Sequence, residues 1–270
     1  NNTSSLVSHY HYDALSFAMF AYGKFLLIDP GYGGDQTSDN GRVWEYNKSP
    51  VQHNLVTVND TYDYIHDRVS NHTTLARDSS YSRDFTSNKY NDYQDYICTG
   101  YSSSPEMSRS ITFMKEQKFY IVSDYAVPNN PNVMNVFAQH WHMYPGANQT
   151  VDENFAISSN FNGVNIKVIP LEEGTVDNYE FVDAYYSERS GQKIVNKKTM
   201  LLKEKTGNAK FTTLILPVDL DEDFDVVSRS ITNTNEGIDD ADLNMAYFKI
   251  TENTSGAENY YYYYHINKPE

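Results

Sequence analysis

Short apolar stretches that alternate with turn-forming residues recur along the chain, and this recurrence most limits the folds it can adopt. Turn signals at 115–118, Asn162-Gly163, 205–208 and 253–258 each predict a β-hairpin. The 24 Tyr and 13 Phe residues also favour strands. The sequence therefore predicts an all-β fold in which large antiparallel sheets pack as a sandwich.

The length of the chain is typical of one large all-β domain, and we interpret residues 1–270 as a single domain. Cys98 is the sole cysteine, which excludes an intrachain disulfide. No apolar run approaches the roughly 18–20 residues that cross a bilayer, so no membrane span is predicted.

The charge balance limits the classes of partner. With 21 Lys+Arg against 36 Asp+Glu, the net charge is −15, which argues against a nucleic acid or an anionic membrane as the main partner. An acidic substrate stays possible, because salt screens charges beyond roughly 8–10 Å and a local cationic patch can outweigh the distant field.

Several segments have their own local predictions. Residues 15–28 predict a hairpin that turns at 22–24, and residues 50–58 alternate as a strand with His53 on it or at its mouth. Residues 59–105 are polar and predict a long, irregular excursion. The five tyrosines at 260–264 predict a final strand.

Three imidazoles and a carboxylate within the first 54 residues are the ingredients of a divalent metal site. On a strand, His9 and His11 would project to the same side, and His11, Asp29 and His53 would supply three ligands to a divalent metal such as zinc. Asp13 is placed to orient an imidazole. An alternative is that each histidine is an ordinary hydrogen-bonded residue and that Asp29 only starts a turn.

Three ordered motifs carry a family resemblance. They are His-x-His-x-Asp-x-Leu-Ser-Phe at 9–17, Gly-x-x-Leu-Leu-x-Asp-Pro-Gly at 23–31 and His-Asn-x-Val-x-Val at 53–58. Together they resemble the heparinase II/III-like polysaccharide lyases, and beyond residue 60 the resemblance is looser. It implies an enzyme with an N-terminal helical toroid and a C-terminal antiparallel β-sandwich, of which this chain corresponds to the second part.

The resemblance also implies a reaction and a set of roles. The reaction is β-elimination on a uronate-containing polysaccharide such as heparan sulfate, alginate, chondroitin or hyaluronan. His9 would be the catalytic histidine facing the cleft, while His11, Asp29 and His53 would hold a zinc in a structural role. The toroid would supply further catalytic residues, so the isolated segment is expected to be inactive, and a bacterial periplasmic or secreted location is expected.

Residues between the second and third ligand segments are candidates for substrate binding. Arg42 is suited to bidentate recognition of a carboxylate or sulfate, and Tyr32 and Tyr46 are suited to sugar stacking or proton donation. Arginines of the polar excursion lie near aspartates and are interpreted as surface ion pairs. These are Arg68, Arg77 and Arg83.

A second His-x-His motif places Trp141 between His140 and His142. Trp141 is a candidate platform for a sugar ring, but a structural role of the two histidines is the preferred interpretation.

Two other classes of function remain open. A cupin-type metalloenzyme also uses His-x-His on a strand, with an open iron or manganese site. A non-catalytic carbohydrate-binding sandwich would bind sugar without turnover. A His-x-His-x-Asp-His metallohydrolase is disfavoured, because Ala14 occupies the fourth position.

Overall fold

A computed structural model of the protein describes nine parts of the chain, and the predicted site residues His9, Arg42 and Tyr46 lie outside them. The described residues are 11–32, 47–59, 80–171, 176–189, 192–219, 222, 224–229, 243–252 and 255–266. These residues are almost entirely strands and turns, so the all-β prediction is confirmed. In the same ranges, the protein has no helix with the length and apolar character that a membrane crossing requires.

The strands are numbered in chain order. They are β1 (Met19–Ala21), β2 (Lys24–Leu27), β3 (Val56–Val58), β4 (Ser80–Ser87), β5 (Asn91–Cys98), β6 (Glu106–Met114), β7 (Phe119–Val127), β8 (Asn135–His142), β9 (Asn148–Val151), β10 (Ile157–Phe161), β11 (Val164–Pro170), β12 (Asn178–Tyr186), β13 (Ile194–Lys205), β14 (Ala209–Val218), β15 (Phe224–Arg229), β16 (Leu243–Glu252) and β17 (Glu258–Ile266). A 3₁₀ turn at Pro50–Gln52 precedes β3.

The strands form three main antiparallel sheets and the small β1–β2 hairpin. The large sheet has the order β4-β5-β6-β7-β14-β11-β10-β9, the second has the order β12-β13-β8-β3, and the third has the order β15-β16-β17. The predicted hairpins β1–β2, β6–β7, β10–β11 and β16–β17 are all confirmed by their pairing.

The large sheet is buried on both faces at its central strand β14. Phe211 and Ile215 belong to the main apolar core, which also contains Trp141 and Leu201 of the second sheet. Leu214, Leu216 and Val218 point to the opposite face and belong to a second core. This core also contains Ile250 of the third sheet, and Phe224 of the same sheet packs against it. Because successive strand residues point to opposite faces and both faces are covered, β14 is buried almost throughout, and its residues 214–218 are all apolar.

The hairpin predicted at 205–208 is wrong. The turn contains Gly207 at φ +80°, but it carries the chain from β13 in the second sheet to β14 in the large sheet. Both edges of β13 are already hydrogen-bonded, to β12 and to β8. A turn signal in the sequence therefore marks a change of direction without revealing which strand the next segment pairs with.

Two other local predictions need correction. The alternation at 50–58 yields a strand only at Val56–Val58, because Pro50 begins a 3₁₀ turn and His53 lies in the connection. Within the polar excursion, residues 80–98 form β4 and β5 at the edge of the large sheet. Every residue of β4 is exposed, so this strand has no apolar face that a hydropathy pattern could detect.

A buried polar network joins the two sheets of the main core. Arg109 of β6 forms two hydrogen bonds with Asp124 of β7, from Nε to Oδ1 at 2.6 Å and from Nη2 to Oδ2 at 2.9 Å. Gln139 of β8 donates to Asp124 Oδ2 at 2.9 Å and accepts from Trp141 Nε1 at 3.1 Å. Trp141 is completely buried. It therefore cannot serve as the sugar platform considered above.

Candidate functional site

Three segments of the chain meet beside the second sheet, and hydrogen bonds from buried groups hold them there. The backbone N–H of Ile28 donates to His142 O at 2.9 Å, and that of Tyr12 donates to Lys48 O at 2.8 Å. Asn54 is fully buried and donates to Phe17 O and to Ile28 O, both at 2.9 Å. The segments around residues 12, 28 and 54 are thereby brought together.

His53 and Asp29 form the centre of this site. His53 Nδ1 lies 2.9 Å from Asp29 Oδ2, with the imidazole fully buried and the carboxylate side chain 46% exposed. The backbone N–H of Gly31 donates to Asp29 Oδ1 at 2.9 Å. Partial burial alone would raise the pKa of the Asp29 carboxyl, but the contacts with His53 and Gly31 hold that pKa below its ordinary value.

His11 lies next to this pair. Its ring centroid is 5.5 Å from that of His53 and 6.4 Å from that of Tyr32. Burial, followed by the charge of His53, lowers the pKa of His11. A neutral imidazole is the form that binds a metal, so the surroundings of His11 favour its ligand form.

The donors at this site fit a divalent metal. His11, Asp13 and His53 each offer a ligand atom, and these atoms lie within 4.8 Å of one another. His53 Nε2 is buried and has no hydrogen-bond partner among the residues that the structure describes. Because buried polar atoms are almost always hydrogen-bonded, an unpaired, buried ring nitrogen in this cluster of donors fits the role of a metal ligand.

The structure places the predicted site residues as follows. It brings together His11, Asp29 and His53, adds Asp13 to the group, and sets Tyr32 beside His11. The predicted strand at 9–13 is not present at residues 11–13, which form a bend.

The turn Asp29-Pro30-Gly31 is fixed by residues that the sequence analysis did not identify. Asn47 is fully buried and donates from Nδ2 to Pro30 O at 3.2 Å and to Gly31 O at 3.1 Å. The backbone N–H of Ser187, just after β12, donates to Pro30 O at 2.8 Å. In the sequence, only the Pro-Gly pair indicates this turn. Neither Asn47 nor Ser187 belongs to a motif that predicts its contact with the turn.

We expect Gly31→Ala to lower the free energy of unfolding by about 3 kcal/mol. Gly31 has φ +71°, and an added Cβ would clash with the backbone carbonyl of Ser187. Urea unfolding would measure the loss. Gly23→Ala is the matched control, because Gly23 has φ +76° with nothing within 4 Å, and should cost only about 1 kcal/mol. Equal losses in the two variants would contradict the packing explanation.

The second His-x-His lies beneath the site, fully buried, and forms hydrogen bonds within the protein. His140 Nε2 lies 2.9 Å from Thr57 Oγ1, and His142 Nε2 lies 3.3 Å from Val51 O. Burial, followed by the charge of nearby Lys198, lowers the pKa of both histidines well below the ordinary value. These contacts support the structural role that the sequence analysis preferred.

The pKa of His140 predicts a pH dependence of stability. Its folded-state pKa lies below the unfolded value of 6.5, so the unfolded chain takes up the proton first as the pH falls. Stability is therefore complete above pH 6.5 and is lost below it, at up to about 1.4 kcal/mol per pH unit for each such histidine. In chelator-treated protein, His140→Gln should reduce the slope of unfolding free energy between pH 7 and 5. An unchanged slope would refute the assignment.

The fold and the site together define a class of protein: an antiparallel β-sandwich domain with a histidine and carboxylate cluster where three segments meet. The sequence profile of the family described as "Heparinase II/III-like, C-terminal" matches residues 2–228. The chain belongs to this family of polysaccharide lyase domains. The resemblance inferred from the motifs is confirmed, and the comparisons do not favour a cupin-type metalloenzyme.

Solved structures show the same fold at low sequence identity. Heparan sulfate lyase HepC from Pedobacter heparinus aligns with a TM-score of 0.71 and 13% identity, over 96% of this chain and 38% of that protein. A heparinase III gene product with methylated lysines aligns with a TM-score of 0.69 and 16% identity, over 94% and 36%. The chain thus spans little more than a third of these enzymes. No curated protein sequence shows a significant match to it.

Proposed function

We propose that the chain is the β-domain of a polysaccharide lyase that cleaves a uronate-containing glycan by β-elimination. The observation that carries this proposal is the convergence of His11, Asp29 and His53 from three segments of a heparinase II/III-like domain. The structural neighbours include a lyase of heparan sulfate, which makes heparan sulfate, or a related polyuronate such as alginate, the first substrate class to test.

The reaction defines what the protein must supply. A base removes the C5 proton of the uronate, the electron pair forms a C4–C5 double bond, the C4–O bond breaks and an acid protonates the leaving oxygen. The uronate carboxylate must be neutralised for the C5 proton to become acidic. We assign His9 to contact with the reacting sugar, as the family resemblance of the motif at 9–17 implies.

We assign substrate binding to Tyr32, Arg42 and Tyr46. Tyr32 lies beside the His11 ring and offers a phenol to a sugar in the cleft. We propose Arg42 as the bidentate partner of a uronate carboxylate or a sulfate, and Tyr46 as a further contact. Both follow the Asp29-Pro30-Gly31 turn in the sequence and precede His53.

We propose a divalent metal, with zinc as the expected ion, held by His11, His53 and one carboxylate. Asp29 is the proposed carboxylate ligand, and Asp13, whose ligand atom lies within 4.8 Å of those of the two histidines, is the alternative. When bound, the ion would supply a fixed positive charge and join three segments that are distant in sequence. Its proposed role is structural. The chain's own residues then do the binding and proton transfer.

The proposed partner is an N-terminal helical domain of the same enzyme, which would form the other wall of the cleft and supply an asparagine and a tyrosine. Residues 1–270 would then be one β-sandwich domain in the C-terminal portion of a longer protein, and inactive alone. Because its net charge is −15, the positive charge that attracts an acidic polymer would come largely from the helical domain. A periplasmic or secreted bacterial location suits a polysaccharide substrate.

The test is an assay of the full-length protein against a panel of polyuronates: heparan sulfate, alginate, chondroitin and hyaluronan. Ultraviolet absorbance of the unsaturated uronate product should rise with at least one substrate, and residues 1–270 alone should give no turnover. Binding of a polyuronate without any unsaturated product would instead identify a non-catalytic carbohydrate-binding domain. Absence of product from the whole panel would contradict the lyase proposal.

A further inference from the structure

We propose that Lys198 and His142 are positioning residues that fix the orientation of His53 through a shared backbone carbonyl, that of Val51. Lys198 Nζ donates to Val51 O, and His142 Nε2 contacts the same oxygen at 3.3 Å. Only 1% of each of these two residues is exposed. One carbonyl next to the candidate metal site thus receives two buried donors from the second sheet.

The sheet register explains why the two donors meet. Lys198 of β13 is directly opposite His142 of β8, so their side chains project from the same face. Their neighbours Thr199 and Trp141 project from the other face, and Trp141 belongs to the main core. The pair therefore projects from the face opposite Trp141, and both side chains reach Val51 O there.

The contact at Val51 is transmitted to His53 through the 3₁₀ turn. Val51 is the middle residue of Pro50–Gln52, and the backbone N–H of His53 donates to Pro50 O at 3.0 Å. Holding the Val51 carbonyl therefore fixes the turn from which the His53 ring projects towards Asp29.

The backbone of His142 holds the adjacent segments as well. Its N–H donates to Asn54 Oδ1 at 2.7 Å, and its carbonyl accepts from Ile28 N–H at 2.9 Å. Asn54 follows His53, and Ile28 precedes Asp29. The backbone of His142 is therefore hydrogen-bonded to a neighbour of each residue of the His53–Asp29 pair. Burying the Lys198 ammonium group costs desolvation free energy. A role in ordering the 3₁₀ turn explains why this group is buried against the Val51 carbonyl.

The experiment compares Lys198→Met with Lys198→Arg in the full-length protein. Lys197→Met is the matched control, since Lys197 is the exposed neighbour on the same strand. Three quantities are measured: hydrogen exchange of the amides of residues 51–55 in chelator-treated protein, the zinc dissociation constant and the unfolding temperature.

For Lys198→Met we expect about tenfold faster exchange of these amides and about 10–100-fold weaker zinc binding, with little change in the unfolding temperature. Lys198→Arg should restore most of the protection, and Lys197→Met should behave as wild type. Unchanged exchange in folded Lys198→Met would overturn the proposal, as would equal changes in Lys197→Met.

The zinc measurement rests on the proposed function, whereas the exchange measurement does not. If wild-type protein binds no zinc, the metal proposal fails while the exchange data still decide whether Lys198 orders the turn. Should Lys198→Met fail to fold, the same exchange comparison on His142→Gln and His142→Ala tests the second donor. Glutamine, which keeps an N–H donor, should protect the amides better than alanine, and equal exchange would overturn the proposal.

Discussion

Replacing Arg109 with methionine is expected to lower the free energy of unfolding by about 3–5 kcal/mol, because it leaves a buried charge without its partner. Arg109 and Asp124 are 2% and 5% exposed at their side chains. Arg109 also donates to the carbonyl oxygens of Leu15, at 2.7 Å, and Asn54. Its loss therefore disturbs the ion pair and the anchoring of two site segments.

Urea unfolding at constant pH would measure this effect. Arg83→Met is the matched control: Arg83 forms a two-bond contact with Asp95, but its side chain is 32% exposed, so the loss should stay below about 1 kcal/mol. The double variant Arg109→Met/Asp124→Leu should recover part of the lost stability, since it removes the stranded carboxylate. Equal effects at Arg109 and Arg83 would show that burial does not set the cost.

On the proposed function, substitutions of His9 and His11 should separate catalysis from metal binding in the full-length protein. His9→Ala should reduce turnover by about 100–10,000-fold, the usual contribution of an acid or base, and leave the unfolding temperature and zinc content unchanged. His11→Ala should lower turnover, zinc content and unfolding temperature together, because a ligand that joins separate segments contributes to folding. Turnover on polyuronates, bound zinc and thermal unfolding are the three measurements.

The control for this pair is Tyr10→Phe, which changes the residue between the two histidines and should preserve all three quantities. Full activity of His9→Ala would rule out its catalytic role. Retention of zinc and stability in His11→Ala would rule out the ligand assignment.

Zinc titration of the Asp29→Asn and Asp13→Asn variants decides which carboxylate is the third ligand. Both are candidates, because Asp29 contacts His53 directly and Asp13 lies within the cluster of donors.

The features predicted correctly from the sequence depend on neighbouring residues. The turn at Asn162-Gly163 and the hairpin at 22–24 formed as expected, since turn chemistry is decided by a few adjacent residues. The three histidine and aspartate motifs are also local, and the family they indicated is the one to which the chain belongs. Predictions of this kind need no knowledge of what lies across the fold.

The errors share a different cause. Residues 205–208 connect two sheets because both edges of β13 are occupied, which no local pattern reveals. Strand β4 was missed because an exposed edge strand has no apolar face. By its place between two histidines, Trp141 is a candidate sugar platform, but packing places it in the apolar core. Pairing partners and burial belong to the whole fold.

By itself, the sequence determined the all-β class, most of the hairpins and the types of residue from which a metal and lyase site can be built. Only the tertiary structure decided that His53 contacts Asp29, and that Asn47, His142 and Lys198 hold their segments in place. The physical reason is that turns and strand patterns depend on neighbouring residues. The geometry of a buried site depends on hydrogen bonds between segments up to 147 residues apart.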